Sequence, residues 1–347
     1  MKIEKVTRKM EIKGFTYGYS AKRGDWRSPE GIKSQDALYE LGNNWVCLSV
    51  LNYQDKFYST QIKFDFVRTP TDKDVAFAVE KAHSKGVKVC LKPMLNSDDH
   101  MWRAHIGFPD KNMGEKDGYW NDWFKSYTNF MVHYAELAED LKVEMLCIGC
   151  EMLGTEHKEE HWRTLIAKLR KIYSGKMVYN TNHGKEDSAK WFDALDYLGT
   201  SAYYSVGKKR IGGECTADGK GDLTKPIDKV AMTAEWEKIR KRVNGVADKL
   251  GKKYIFMEIG CRSATGCSAM PWDFAHRDLP WSEDEQATFY ETCLDVFGKE
   301  KRFAGVFWWD WSTFIYDTRE QAQKDIGFNV HLKKAEEILK TKYRELS

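Results

Sequence analysis

Short apolar runs alternate along this chain with longer stretches in which apolar residues return at helical spacing. Eight runs read as strands, at residues 15–19, 45–51, 87–93, 144–149, 177–180, 197–203, 254–258 and 303–309. Most are apolar nearly throughout, the pattern of strands buried on both faces, and the alternation predicts βα units around a parallel sheet. Helix starts fall between them. Ser28-Pro29 supplies an N-cap and first turn, Thr71 with Asp74 opens a helix that Gly86 closes, and Ser282 with Glu285 reads as a capping box. A last helix is predicted near 335–343.

Eight strands alternating with eight helices fit either a closed barrel or an open doubly wound sheet. The open fold usually carries a Gly-rich phosphate turn after its first strand, and Gly14-Phe15-Thr16-Tyr17-Gly18-Tyr19 lacks that spacing. A (β/α)8 TIM barrel of the α/β class is therefore expected. No linker, low-complexity block or short repeat divides the 347 residues, so 1–347 reads as a single domain. Long connections at 52–69, 96–119, 205–229 and 260–280 follow strands 2, 3, 6 and 7, on the face where barrels do chemistry. The third contains Gly207-Lys208-Lys209-Arg210-Ile211-Gly212-Gly213 and is expected to be mobile.

Two strands run into a carboxylate: Glu151 after the fourth, Glu258 at the end of the seventh. A carboxylate where a buried strand emerges is costly to desolvate unless it is partnered. Strict alternation would set Glu151 on one face with Gly149, Cys147 and Met145, and Glu258 with Phe256 and Tyr254, so both are able to point inward. Either alone reads equally well as a solvated residue at a loop start. Together, on strands whose ends converge, they point to one pocket, and two facing carboxylates are the apparatus of glycoside hydrolysis.

Composition narrows the ligand. Fifty-five Lys+Arg balance 52 Asp+Glu for a net charge of +3, with the signs interspersed, which gives no field for nucleic acid or an anionic membrane. The 13 Trp and 17 Tyr suit a neutral polar ligand with apolar faces, such as an oligo- or polysaccharide. Residues 1–13 are charged and lack the apolar core of a secretion signal, and no run is long enough to span a bilayer. Four of the eight cysteines (Cys47, Cys90, Cys147, Cys150) lie in apolar runs, as buried thiols of a reducing compartment do. Cytoplasm and a monomer are expected, with secretion the alternative if a signal peptide has been removed.

The order of these features resembles glycoside hydrolase clan A, and in detail family 113, the β-mannanase family. The resemblance rests on Leu91-Lys92-Pro93, Trp102-Arg103 with Ile106, Ile148-Gly149-Cys150-Glu151, Tyr179-Asn180-Thr181-Asn182, Asp196-Tyr197-Leu198-Gly199 with Ala202-Tyr203-Tyr204, Met257-Glu258-Ile259-Gly260 and Trp308-Trp309-Asp310-Trp311. It implies cleavage of β-1,4-mannosidic bonds with retention of configuration, Glu151 as general acid/base and Glu258 as nucleophile, without metal or organic cofactor. In a retaining site the carboxyl groups stand about 5–5.5 Å apart, so charge on the nucleophile keeps the acid protonated until the sugar ester forms. A β-glucanase or xylanase of the same clan is the nearest alternative. A barrel that binds sugars without cleaving them is the alternative of another class.

Two positions depart from the pattern. Clan A commonly has Asn before the acid/base residue, holding the sugar 2-hydroxyl, where this chain has Cys150; Asn182 is the candidate replacement. Members of family 113 often have His after Lys-Pro, where Met94 stands here. Tyr203 or Tyr204 is expected to donate to Glu258, since only one faces inward, with Tyr203 slightly preferred. Trp309 and Trp311 are candidates for the floor of the sugar site, Trp102 is a further candidate for substrate contact, and Arg103 and Lys92 are candidates for hydroxyl contacts or for balancing the charge of the glutamates.

Two motifs compete. His157-Lys158-Glu159-Glu160-His161 has the H-x-x-E-H spacing of a zinc peptidase, but it is short and reads as a solvated helix start. Cys147 and Cys150 have C-x-x-C spacing, yet residues three apart on a strand point to opposite faces. Cys261 and Cys267 are expected to be free thiols.

Overall fold

The structure, a computed structural model, describes residues 9–112, 114–207, 226–275 and 278–347. Eight parallel strands close into a barrel in sequential order: β1 (Ile12–Tyr17), β2 (Trp45–Gln54), β3 (Lys88–Ser97), β4 (Met145–Cys150), β5 (Lys176–Asn182), β6 (Tyr197–Ser201), β7 (Tyr254–Ile259) and β8 (Phe303–Trp311), with β8 pairing back onto β1. Each overlaps a run expected from the sequence. A (β/α)8 barrel of one layer of strands inside one layer of helices is the result. Of the Gly-rich stretch 207–213, everything from Lys208 on lies outside the described residues, as does Cys215.

Alternation along the strands divides the apolar side chains between two cores. Ile12, Trp45, Cys47, Cys90, Met145, Cys147, Val178, Ile255, Met257, Ala304 and Phe307 form the plug inside the lower barrel. Their neighbours, among them Phe15, Val46, Leu91, Leu146, Phe256 and Val306, face outward to the helices. Both sets are apolar, which is why the strands read as continuous runs.

The helices are α1 (Pro29–Glu40), α2 (Asp72–Ser84), α3 (Gly118–Asp140), α4 (Glu159–Leu169), α5 (Lys229–Leu250), α6 (Glu283–Phe297), the single turn α7 (Arg319–Ala322) and α8 (Lys334–Glu345). Ser28 caps α1 by accepting from the Gly31 N–H at 3.0 Å, and Thr71 and Asp74 form the expected capping box on α2. Gly86, with φ 71°, closes α2: its N–H meets the His83 carbonyl while that of Val87 meets Ala82. The capping box expected at Ser282 is absent. Glu285 instead turns away to accept from the Gly266 N–H, the Ser268 N–H and the Ser268 hydroxyl, so it ties down the loop after β7.

The strict βα alternation fails once. The link from β5 to β6 holds only a 3-10 turn (Lys190–Ala194), while the stretch after β8 carries both α7 and α8. Trp191 fills the space a helix would occupy: it is fully buried, stacks on Trp162 of α4 with ring centres 4.5 Å apart, and donates its indole N–H to the Glu156 carbonyl. One large aromatic thus does the covering that a full amphipathic helix does elsewhere.

Candidate active site

Both glutamates are aimed by irregular strands rather than by alternation. On β4, Met145 and Cys147 point into the barrel, so a regular strand would send Gly149 inward and Cys150 outward. The register slips between Cys147↔Val178 and Cys150↔Asn180, three residues against two. One extra residue, a bulge, bends the strand and turns Cys150 inward. Gly149 then faces out, where a Cβ would lie 2.7 Å from the Tyr179 ring. The loosened carbonyls are accounted for: that of Ile148 accepts from Tyr127 at 2.8 Å and that of Gly149 from the Cys147 thiol at 3.3 Å. Glu151 follows in the left-handed region at φ 54°, a conformation that costs a non-glycine residue about 1–2 kcal/mol. Its N–H donates to the Asn180 carbonyl at 2.7 Å, which holds the turn.

The same device acts on β7. Thr200 pairs with Phe256 but Ser201 with Glu258, again one residue extra. Tyr254 and Phe256 face outward, with Phe256 packed 4.8 Å from Phe297 of α6, so the expectation that they share a face with Glu258 is wrong. So is the grouping of Glu151 with Gly149, and so is the opposition of Cys147 and Cys150. Both thiols face inward because the bulge lies between them.

Glu258 is 4% exposed and accepts from four side chains. The Lys92 ammonium, the Cys150 thiol (3.3 Å) and the Asn180 amide (3.2 Å) meet Oε1, and the Tyr203 hydroxyl meets Oε2 at 3.2 Å. Burial opposes the charge on Lys92, yet the groups around it, Cys150 and Glu258 foremost, hold its pKa well above the lysine range. Burial, with Glu258 next, pushes the Tyr203 hydroxyl up as well, so it stays a donor.

Glu151 takes the Trp102 indole N–H at 3.2 Å and Arg103 Nη1 at 3.5 Å on Oε2, and the Asn182 amide at 3.3 Å on Oε1. Burial and then the charge of Glu258 raise its pKa, against the opposing pull of Arg103, Ser201 and Trp102. A carboxyl whose pKa is raised, beside one that accepts four donors, gives the pair the asymmetry that acid–base chemistry uses.

Comparisons with known proteins identify the family. Residues 15–333 match the sequence profile of Glycoside Hydrolase Family 113. The chain belongs to glycoside hydrolase family 113. Solved structures similar to it include a GH113 β-1,4-mannanase, at 31% identity over 96% of this chain and 98% of the other with a TM-score of 0.83. Another is the GH113 β-mannanase from Alicyclobacillus acidocaldarius, at 33% identity over 97% and 98% with a TM-score of 0.84. A Ruminococcus gnavus β-glucuronidase, 13% identical with a TM-score of 0.62 over 96% of this chain and half of its own, shares the fold alone. No curated protein matches the chain.

Other expected site residues of this family 113 glycoside hydrolase divide between mouth and periphery. Trp309 is half-buried at the mouth, its ring 5.8 Å from the Lys92 ammonium and 4.6 Å from the Tyr19 ring. Trp311 is not at the site. A further extra residue on β8, between Phe15↔Trp308 and Tyr17↔Trp311, turns it outward, where it donates to Ser34 and packs edge-on against Phe15. Tyr204 also faces away: its hydroxyl bonds Glu186, which Arg242 pairs at 2.8 Å, and its ring meets Trp236. Met94 and Cys150, the two departures from the family pattern, pack into one small cluster with Leu51 and Tyr53.

The competing motifs find packing roles. His161 stacks on Phe124 at 4.6 Å and His157 meets Trp120 edge-on. Among the described residues no three His, Cys, Asp or Glu side chains could hold a metal ion, and no helix is long and apolar enough to cross a membrane. Cys261 and Cys267 are buried, their sulfurs 3.2 Å apart as thiols.

Asn180, Ser201 and Tyr19 escaped the sequence reading. Asn180 was within reach, because it lies two residues before Asn182 and so shares its face of β5. Next in sequence to Trp309, the Asp310 carboxyl is pushed up to about 7 by burial and then by the charge of Asp325.

Proposed function

We propose that this glycoside hydrolase cleaves β-1,4-mannosidic bonds in mannan or manno-oligosaccharides by double displacement, with Glu258 as nucleophile and Glu151 as general acid/base. The observation that carries the reading is the contrast between the two carboxyls. Glu258 is ringed by donors from Lys92, Cys150, Asn180 and Tyr203, while burial and the charge of Glu258 raise the pKa of Glu151. The mannanases among the similar structures supply the sugar and the linkage.

In the first step Glu258 forms a bond to the anomeric carbon as the glycosidic bond breaks, and Glu151 gives its proton to the departing oxygen. With Glu258 esterified its charge is gone, so the pKa of Glu151 falls. Glu151 then takes a proton from water as the water attacks, and Glu258 leaves with its electron pair. Trp309, at the mouth, offers a ring face to the C–H edge of a pyranose.

The test is a panel of β-linked manno-, cello- and xylo-oligosaccharides, with product sizes read by chromatography and the first-formed anomer by proton NMR. Manno-oligosaccharides cleaved to a β-product support the reading. Preference for cello- or xylo-substrates would make it a glucanase or xylanase, an α-product would remove double displacement, and binding without cleavage would leave a sugar-binding barrel.

Glu151 must be protonated to begin, so activity falls as pH rises through its pKa. Trp102→Phe keeps the ring and removes a donor that favours the ionised form, so Glu151 stays protonated to higher pH. The alkaline limb of kcat/KM is expected to move up by about 0.5–1 pH unit. A limb that stays put or moves down counts against Glu151 as the acid.

A further inference from the structure

Resting on Glu258 as nucleophile, we propose that it attacks through Oε2 and that Asn180 is the positioning residue that holds Oε1 back and sets both acids relative to one another. The two oxygens are not equivalent. Oε1 receives Lys92, Cys150 and Asn180, whereas Oε2 receives Tyr203 alone. Each carboxylate oxygen has about two lone-pair sites, so Oε1 is filled and Oε2 keeps one open. The open pair forms the bond to the anomeric carbon, the electrons of the broken bond leave with the departing oxygen, and Oε1 becomes the ester carbonyl. When water attacks, the C–Oε2 pair returns to a carboxylate whose Oε1 donors are already in place, so no group has to reorganise as the charge comes back.

Asn180 is hydrogen-bonded to both acids. Its side chain meets Glu258, and its backbone carbonyl accepts from the Glu151 N–H at 2.7 Å, the bond that holds the left-handed turn. The orientation of its amide is settled locally. Its Oδ1 accepts from the Ser201 hydroxyl at 3.2 Å, which leaves the NH2 group for Glu258 and for Cys150 Sγ, each at 3.2 Å. A reversed amide would set a carbonyl oxygen against a carboxylate. Asn180 and Ser201 are both fully buried, on neighbouring strands.

Asn180→Ala is expected to lower kcat on mannohexaose by about 10- to 100-fold, the range for a hydrogen bond to a charged group, with KM within about threefold. A residue that acts on the nucleophile and not on the sugar divides its effect this way. Because Cys150 Sγ lies beside both Asn180 and Glu258 Oε1, a longer amide at 150 reaches the vacated space, and Asn180→Ala/Cys150→Asn should recover about tenfold in kcat. Should Asn180→Ala not fold, Asn180→Ser, which keeps a small polar side chain but cannot reach Glu258 as the amide does, carries the test at about three- to tenfold. A kcat within threefold of the parent, a loss that appears in KM, or a double variant no better than the single one overturns the proposal. An active Glu258→Ala would remove the reading beneath it instead. An inactive Glu258→Ala beside an unaffected Asn180→Ala removes only the positioning role.

Discussion

Glu258→Ala is expected to lower kcat on mannohexaose by about four to six orders of magnitude, the scale of losing a covalent nucleophile. It should also destabilise the fold. Lys92 is fully buried and pairs with Glu258, and removing one partner of a buried ion pair typically costs about 3–5 kcal/mol. The two effects separate. Glu258→Ala/Lys92→Met removes both charges and is expected to regain most of the lost thermal stability while staying inactive. Thermal denaturation beside kinetics reads both. Turnover returning with stability would mean that Glu258 matters only through packing and charge. A trapped 2-fluoromannosyl ester located by peptide mass would mark Glu258 directly.

Glu151→Ala should divide its effect by leaving group. Losing general-acid help is worth about 10²–10⁴-fold where the departing oxygen needs a proton, so mannohexaose cleavage falls by that amount. A dinitrophenyl β-mannoside, whose leaving group departs without one, should form the ester at near-parental rate and then stall, because the same residue serves as base toward water. A burst followed by a slow steady state is the expected trace. Azide, which needs no base, should restore turnover and yield the β-mannosyl azide. Equal losses on both substrates, with no azide effect, would take the proton-transfer role away from Glu151.

Reading the strands from the sequence succeeded because burial on both faces leaves so strong a mark: 254–258 and 303–309 lack polar residues except at their ends. The site was harder for the same reason. Where inward and outward positions are both apolar, nothing in the residue types reveals a slip of register; the faces expected for Gly149 and Phe256 are therefore wrong, and of the two floor candidates Trp311 faces outward. Tyr203 and Tyr204 were separable in principle by alternation but not by chemistry, since either hydroxyl suits a carboxylate. Asn182 drew attention as the amide beyond the strand, while Asn180, inside an apolar-looking run, is the one that meets Glu258. The helix expected between β5 and β6 was lost for a different reason. A stack of two tryptophans can cover a barrel flank, and no periodicity announces it.

The bulges on β4 and β7 make the chemistry a matter of chain length as well as residue type. Paired regularly at their present length, β4 would turn Cys150 and β7 would turn Glu258 toward the helices, with every side chain of the pocket still encoded. A chain with the same residues but no slip on β7 would carry the parts of the catalyst without the means to bring them together.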